Sequence, residues 1–335
     1  MADTEGVTST DDVPARLVDD ILEGLRLRSA VFCRMTLCGE LGFDKDALVG
    51  APFYLMLTGE AWLRPHPEDE PIGLGPGDIV VLPQGEEHAL LSRPDAKTVS
   101  FTKLAEAEGI VPWVHGMRYK SSDLRFGTGE PVARLVSGVF AFGDHRRNPL
   151  FSALPPRLLL RAGDSSPVTD RVRSIASLLD AELASGEPGA GCVGGRLADI
   201  LFIQVVRHYL SAAESLPRGW LRAMSDADIA PALALMQRAP ERPWTVASLA
   251  RETCMSRSRF ALRFQQVVGR APLDYLTDWR MYLAAGRLSE QGASLAAVAT
   301  SVGYHSDAAF SKAFKRWSGR SPGRYARDLS GKSAE

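Results

Sequence analysis

The last third of this 335-residue chain carries one pattern twice, and no other feature limits its fold as tightly. Ala250 and Cys254 recur as Ala299 and Gly303, an offset of 49. Phe260, Phe264, Gly269, Pro272 and Tyr275 recur as Phe310, Phe314, Gly319, Pro322 and Tyr325, an offset of 50. The additional residue falls at a turn, where a change of length costs little. Each copy opens with a capping side chain: Thr245 before a short helix through Thr253, Ser294 before Leu295–Val302. A turn follows at Cys254–Met255 and at Gly303, the latter tolerant of positive φ. Ser256 and Ser306 then cap second helices that run to Val268 and Trp317. Phe260, Phe264 and Val267, like Phe310, Phe314 and Trp317, form a stripe read as core. The opposite face is polar: Arg257, Ser258, Ala261 and Gln265, then Asp307, Ala308, Ser311, Lys312 and Lys315.

Pro272 suits the first turn of a connecting helix to about Ser289, with Leu276, Trp279, Leu283, Ala284 and Leu288 as its packing face. A short helix, a tight turn and a helix with a polar outer face is the arrangement that enters a major groove. Two such helices on a rigid connector would meet successive groove segments roughly 34 Å apart. Charge supports an anionic partner. Residues 241–335 hold 15 Lys+Arg against 8 Asp+Glu, a net of +7, while the other 240 residues carry −8. The competing explanation is a helical protein-interaction domain.

The preceding chain is of another kind. Residues 1–12 are polar and acidic, read as a disordered tail without a secretory signal. Val13 to Leu27 has helical spacing. From Ala30 to Val139 short apolar runs are broken by Gly and Pro: Ala30–Leu37, Pro52–Leu57, Ala61–Leu63, Asp78–Leu82, Thr98–Leu104 and Ala133–Phe140. Such runs predict a small antiparallel barrel or double sheet. Val168–Ala184 and Cys192–Ala213 are helical in pattern, and Pro217, Arg218 and Gly219 begin a linker. No apolar run reaches the roughly 18–20 residues of a membrane span. Four scattered cysteines (Cys33, Cys38, Cys192, Cys254) read as reduced thiols of a cytoplasmic protein.

Residues 226–329 resemble the DNA-binding domain of the AraC/XylS transcription regulators. The resemblance rests on Gly303-Tyr304-His305-Ser306-Asp307-Ala308-Ala309-Phe310-Ser311-Lys312-Ala313-Phe314-Lys315-Arg316, on Gly319-Arg320-Ser321-Pro322 with Tyr325, and on the first copy from Ser248 to Gly269. It implies two helix-turn-helix units that bind promoter DNA. Base-facing positions are then Ser256, Arg257, Ser258, Ala261 and Leu262, with Asp307, Ala308, Ser311 and Lys312. Arg263, Lys315, Arg316 and Arg320 are phosphate candidates. Ala261 and Leu262 depart from the polar side chains common there; they suit a thymine methyl but not a bidentate hydrogen bond.

Gly77-Asp78-Ile79-Val80-Val81-Leu82-Pro83-Gln84-Gly85-Glu86-Glu87-His88 resembles the second motif of cupin barrels. Asn148-Pro149-Leu150 with Ala153-Leu154-Pro155 resembles the segment that follows the barrel in the AraC-binding-like group. Gly59 to His66 lacks the His-x-His of metal-binding cupins. Tyr54 and Ser137 stand where that group often carries His and Cys, so no metal is expected. Tyr54, Trp62 and His88 combine apolar faces with hydrogen-bonding tips and are the effector candidates.

The expected organisation is α+β. A cupin-like β-barrel with flanking helices (13–160) precedes a helical linker or dimerisation region (161–219). An all-α domain with two helix-turn-helix units joined by a long helix (220–329) and a tail (330–335) complete it. The expected function is a one-component transcription regulator, an activator or a repressor, and a homodimer, without cofactor or membrane. Its partners would be double-stranded promoter DNA, a small-molecule effector and RNA polymerase. The alternative is a metal-dependent cupin enzyme of the dioxygenase type.

Overall fold

The computed structural model describes residues 30–107, 109, 122–140, 154–164, 166–211, 219, 222–223, 226–288 and 294–331. The readings of residues 1–29, of Asn148–Ala153, of the linker start at Pro217 and Arg218 and of the tail at 332–335 lie outside them. The described residues form two compact units, one within 30–140 and 154–211, the other within 219–331.

The first unit is built of two sheets. Strands β1 (Ala30–Cys38), β3 (Ala51–Gly59), β6 (Ile79–Val81), β9 (Ser122–Gly127), β10 (Pro131–Phe140) and β11 (Leu158–Leu160) pair in the order β11-β6-β3-β10-β1-β9. Strands β2 (Gly42–Lys45), β4 (Ala61–Arg64), β5 (Ile72–Leu74), β7 (His88–Leu91) and β8 (Thr98–Ser100) pair as β5-β4-β7-β2-β8. Alternate residues of both sheets meet in one core: Cys33, Met35, Leu37, Tyr54, Met56 and Leu135 from the first, Phe43, Ala61, Leu63 and Leu90 from the second.

The expected closed barrel is therefore wrong. Among the described residues each sheet ends in its own edge strands, β11 and β9 in one, β5 and β8 in the other, and no ladder joins them. Closure needs tilted, continuously paired strands, whereas the second sheet is made of strands three or four residues long. The antiparallel expectation also fails locally, since β1 pairs with β9 and β2 with β8 in parallel. Gly59 shows how the chain changes sheets between β3 and β4: its φ is 74°, and a Cβ there would sit 2.0 Å from the Val132 carbonyl oxygen.

The run Thr98–Leu104 is not one strand. β8 stops at Ser100 and α1 (Phe101–Ala107) begins, placing Phe101, Leu104 and Ala105 at helical spacing against the core. Two long helices complete the unit, α2 (Pro167–Ser185) and α3 (Ala190–Ser211). The α3 helix packs on β1, β10 and β11, and Phe202 meets Phe140 with ring centroids 4.9 Å apart. This cover on the outer face explains why six consecutive residues of β3, Ala51–Met56, are all buried.

The second unit is helical: α4 (Ala230–Arg238), α5 (Val246–Glu252), α6 (Arg257–Val268), α7 (Pro272–Leu288), α8 (Leu295–Ser301), α9 (Asp307–Ser318) and α10 (Pro322–Gly331). All four expected caps form. Thr245, Ser256, Ser294 and Ser306 accept from the backbone N–H of Ser248, Arg259, Ala297 and Ala309. The repeat holds to the level of single contacts. Met255 and Tyr304 donate to the carbonyls of Ala250 and Ala299 at 2.8 and 2.9 Å. Phe260 and Phe264 lie 5.7 Å apart, as do Phe310 and Phe314. Tyr275 and Tyr325 meet the second phenylalanine of each pair edge-on.

The turn residue is left-handed in both copies, Gly303 at φ 83° and Cys254 at φ 54°. A Cβ at Gly303 would lie 2.6 Å from the Glu241 carbonyl oxygen. Cysteine is strained in this region, by about 1–2 kcal/mol. Cys254→Gly should therefore stabilise the fold by about 0.5–1 kcal/mol, after the entropy gained by the unfolded glycine chain. Gly303→Ala should destabilise by about 2 kcal/mol or more. Guanidinium unfolding followed by circular dichroism checks both; equal shifts of one sign would contradict the turn geometry.

Candidate nucleic-acid interface

On α6 the side chains of Arg257, Ser258, Arg259, Leu262 and Arg263 are exposed and Ala261 is half-buried. On α9 Asp307, Ala308, Lys312, Lys315 and Arg316 are exposed and Ser311 is half-buried. The inward stripes are closed: Phe260, Phe264, Phe310 and Phe314 are fully buried, Val267 is buried and Trp317 half-buried. Each second helix thus presents its first two turns outward from a fixed aromatic base. Leu262 stands 61% exposed, the most exposed large apolar side chain described in this unit. Ser256 acts through its cap, its oxygen held 3.3 Å from the Arg259 amide.

The cations of this face divide into two groups. Arg263 reaches Asp226 at 2.6 Å, and Asp226 also accepts from the backbone N–H of Ile229 at 3.1 Å. This ion pair ties α6 to the start of α4. Arg257, Arg259, Lys312, Lys315 and Arg316 have no ion-pair partner among the described residues. Arg320 follows a tight turn in which Ser318 Oγ donates to its carbonyl and accepts from its amide. The connecting helix is clamped by Arg280, which donates to the carbonyls of Pro240 and Arg242 at 2.6 and 2.7 Å. Arg259 and Arg280 escaped the sequence reading; Arg259 shares the exposed first turn of α6 and was recognisable from its place two residues after Arg257.

The sheet unit holds a polar layer in its core. Tyr54 Oη donates to His88 Nε2 at 2.6 Å, while His88 Nδ1 donates to the Glu86 carbonyl at 2.8 Å. Burial holds His88 neutral, pushing its pKa down to about 4, and pushes the Tyr54 hydroxyl well up. Tyr54 and His88 are therefore brought together. Trp62 is not with them. Its neighbours Ala61 and Leu63 point into the core, so strand alternation turns Trp62 to the other face, where its indole lies against Gly73.

Lys45 was not foreseen as a layer residue, although its spacing two residues after Phe43 puts both on one face. Its amine lies 3.5 Å from Ser137 Oγ and 4.4 Å from the Phe101 ring centroid. Burial lowers its pKa to about 8, and burial raises that of the nearby Cys33 to about 12. These donors do not fit a metal. Tyr54 and Ser137 replace the imidazole and thiol of the metal-binding pattern, and no group of three or more His, Cys, Asp or Glu is clustered for one among the described residues.

A family model described as a cupin matches residues 16–211, and one described as a helix-turn-helix domain matches residues 249–328. An AraC-like transcription regulator of Streptomyces antibioticus is 35% identical, the alignment covering 92% of this chain and 97% of that protein. The HTH-type transcriptional regulator AlkR of Acinetobacter baylyi is 32% identical over 94% of this chain and 98% of its own. The DNA-binding domain of AdpA, solved in complex with a target DNA, is 29% identical, covers 32% of this chain and 97% of that one, and superposes with a TM-score of 0.31.

A cupin-type sheet unit and a doubled helix-turn-helix on one chain define a sequence-specific DNA-binding transcription regulator. The chain belongs to the AraC/XylS family of such regulators. Membership argues against catalysis, and the metal-dependent dioxygenase reading falls with it. No helix among the described residues is long and apolar enough to cross a membrane.

The buried imidazole sets a pH dependence. Between pH 6.5 and 4 the unfolded chain binds a proton at His88 that the folded chain refuses, so stability falls as pH drops through this window. The loss should approach about 3 kcal/mol and be absent from His88→Gln. Chemical denaturation of both proteins at pH 7 and 4.5 measures it; parallel losses in the two would contradict a neutral buried His88.

Proposed function

We propose that α6 and α9 lie in successive major-groove segments of promoter DNA, and that a small organic effector in the sheet unit controls this binding. The observation that carries the first half is the repetition of cap, turn and aromatic base, which presents two outward helix starts of the same construction. In this reading Arg257, Ser258, Ala261 and Leu262, with Asp307, Ala308, Ser311 and Lys312, face the bases. Ser256 orients the start of α6. Lys315, Arg316 and Arg320 meet phosphates, whereas Arg263 serves mainly to hold α6 on Asp226.

The effector half is supported by a cavity of about 250 Å³ lined by His88, Leu82, Pro65 and Pro156 among others. Tyr54 acts there through His88; Trp62, on the opposite face, is set aside as a contact. Because α3 packs on the sheet and α2 packs on α3, the effector unit is proposed to extend to residue 211, with DNA binding assigned to 220–329. Leu178 and Ile200 are exposed on these helices, which suits a homodimer. Contact with RNA polymerase belongs to an activator role.

Lys312→Ala should weaken the selected site by about tenfold and a scrambled duplex much less, as a base-reading loss of 1–3 kcal/mol requires. Lys315→Ala should weaken both duplexes alike and flatten the salt dependence by about one unit. Fluorescence anisotropy at several salt concentrations separates the two; equal losses on both duplexes for Lys312→Ala would remove it from the base-reading set.

A further inference from the structure

Two rows of polar side chains face each other between the sheets. Cys33, Ser137 and Tyr54 are cross-strand partners in sequence on β1, β10 and β3. Lys45 and His88 are partners on β2 and β7. The rows touch through Tyr54 and His88 at 2.6 Å and through Lys45 and Ser137 at 3.5 Å. Donors in this layer outnumber acceptors. The one free ring nitrogen of His88 is taken by Tyr54, and the Glu86 carbonyl by His88 itself. Lys45 has three N–H groups and one long contact, to Ser137 Oγ. No carboxylate among the described residues lies within ion-pair distance of it. Asp44 is turned to Arg64 at 3.9 Å, and Asp46 accepts from Thr102.

A half-buried ammonium without a counter-ion is costly, and aromatic faces offset only part of that cost. We propose that this layer receives the carboxylate of a small organic acid, with Lys45 as its charge partner and the Ser137 hydroxyl as a second donor. The proposal rests on the effector reading above and names the ligand class. One carboxylate supplies both the missing charge and the missing acceptors. A dianion would leave a charge unbalanced beside a single lysine. The body of the acid is apolar: Phe43, Phe101 and Phe126 pack on one another with ring centroids 5.1–6.0 Å apart and form an apolar wall at the lysine end of the layer. The 250 Å³ cavity does not itself include Lys45; it ends on His88, whose Cβ is about 5 Å from that of its strand partner Lys45, and its outer lining carries Asp69, Glu86 and Glu87 beside Arg157 and His66.

The charge on Lys45 gives the test its pH arm. Its pKa of about 8 is the one in the layer that lies between pH 6.5 and 9.5. Cys33 and Tyr54 titrate above that range and His88 below it. Lys103 and Glu106 of α1 are exposed.

Thermal shift of the full chain with benzoate, phenylacetate and hexanoate, each beside its neutral amide, reads the result. At pH 6.5 at least one acid should raise the midpoint by several degrees while its amide does not. The shift should vanish at pH 9.5 and in Lys45→Met, and persist in part in Lys45→Arg. Lys45→Met should itself melt no lower than the parent, which shows that it folds. No shift with any of the three acids, equal shifts with acid and amide, or a shift kept in Lys45→Met overturns the proposal. Promoter affinity measured with the bound acid tests the effector reading separately: binding without any change in affinity contradicts that reading and leaves the receptor standing.

Discussion

One left-handed residue in each helix-turn-helix decides where the second helix starts. At Cys254 and Gly303 the chain reverses, and the next amide is caught by a carbonyl of the preceding helix, Ala250 in one copy and Ala299 in the other. That hydrogen bond fixes the angle between the helices. The serine cap follows, and the Phe-x-x-x-Phe stripe then falls on the core side without adjustment. The second copy has one more residue between turn and cap, Tyr304-His305 against Met255, and its helix still starts on a serine. The outward face is thus a consequence of the turn and the stripe, so side chains on it are free to vary without disturbing the fold.

The helical unit was legible because its signals are local. Caps at Thr245, Ser256, Ser294 and Ser306, and helix ends at Val268 and Leu288, depend on residues within one turn. What escaped was tertiary: the pairing of Arg263 with Asp226 spans 37 residues, and no pattern in either segment announces it. The sheet unit was less legible for the same reason. Apolar alternation reads alike in a barrel and in two stacked sheets, and strands as short as Ile72–Leu74 or Leu158–Leu160 leave little periodicity to find. Tyr54 and His88 meet because motif and alternation agree. Trp62 lies on the other face because of its phase on the strand, which its chemistry alone does not reveal.

The sheet unit is a core with a polar seam rather than a uniform apolar interior. Above and below the seam, Met35, Met56, Leu63 and Leu90 pack as ordinary core. Within it, neutral His88 and Tyr54 satisfy each other, whereas Lys45 remains short of acceptors. A buried network that is only partly satisfied is a weak stability device, and a ligand that supplies the missing acceptors stabilises it.

In the proposed DNA complex α7 sets a fixed distance and phase between the two DNA-reading helices. Arg280 and the burial of Leu276, Trp279 and Ala284 hold this connector against its neighbours. The direct measurement is binding to a selected site into which five base pairs, half a helical turn, are inserted between the two contacted segments. A rigid pair loses the contacts of one helix, so affinity should fall at least about a hundredfold, to the level of a site with one segment scrambled. Unchanged affinity on the inserted site would mean that the two helices do not read the DNA as one unit.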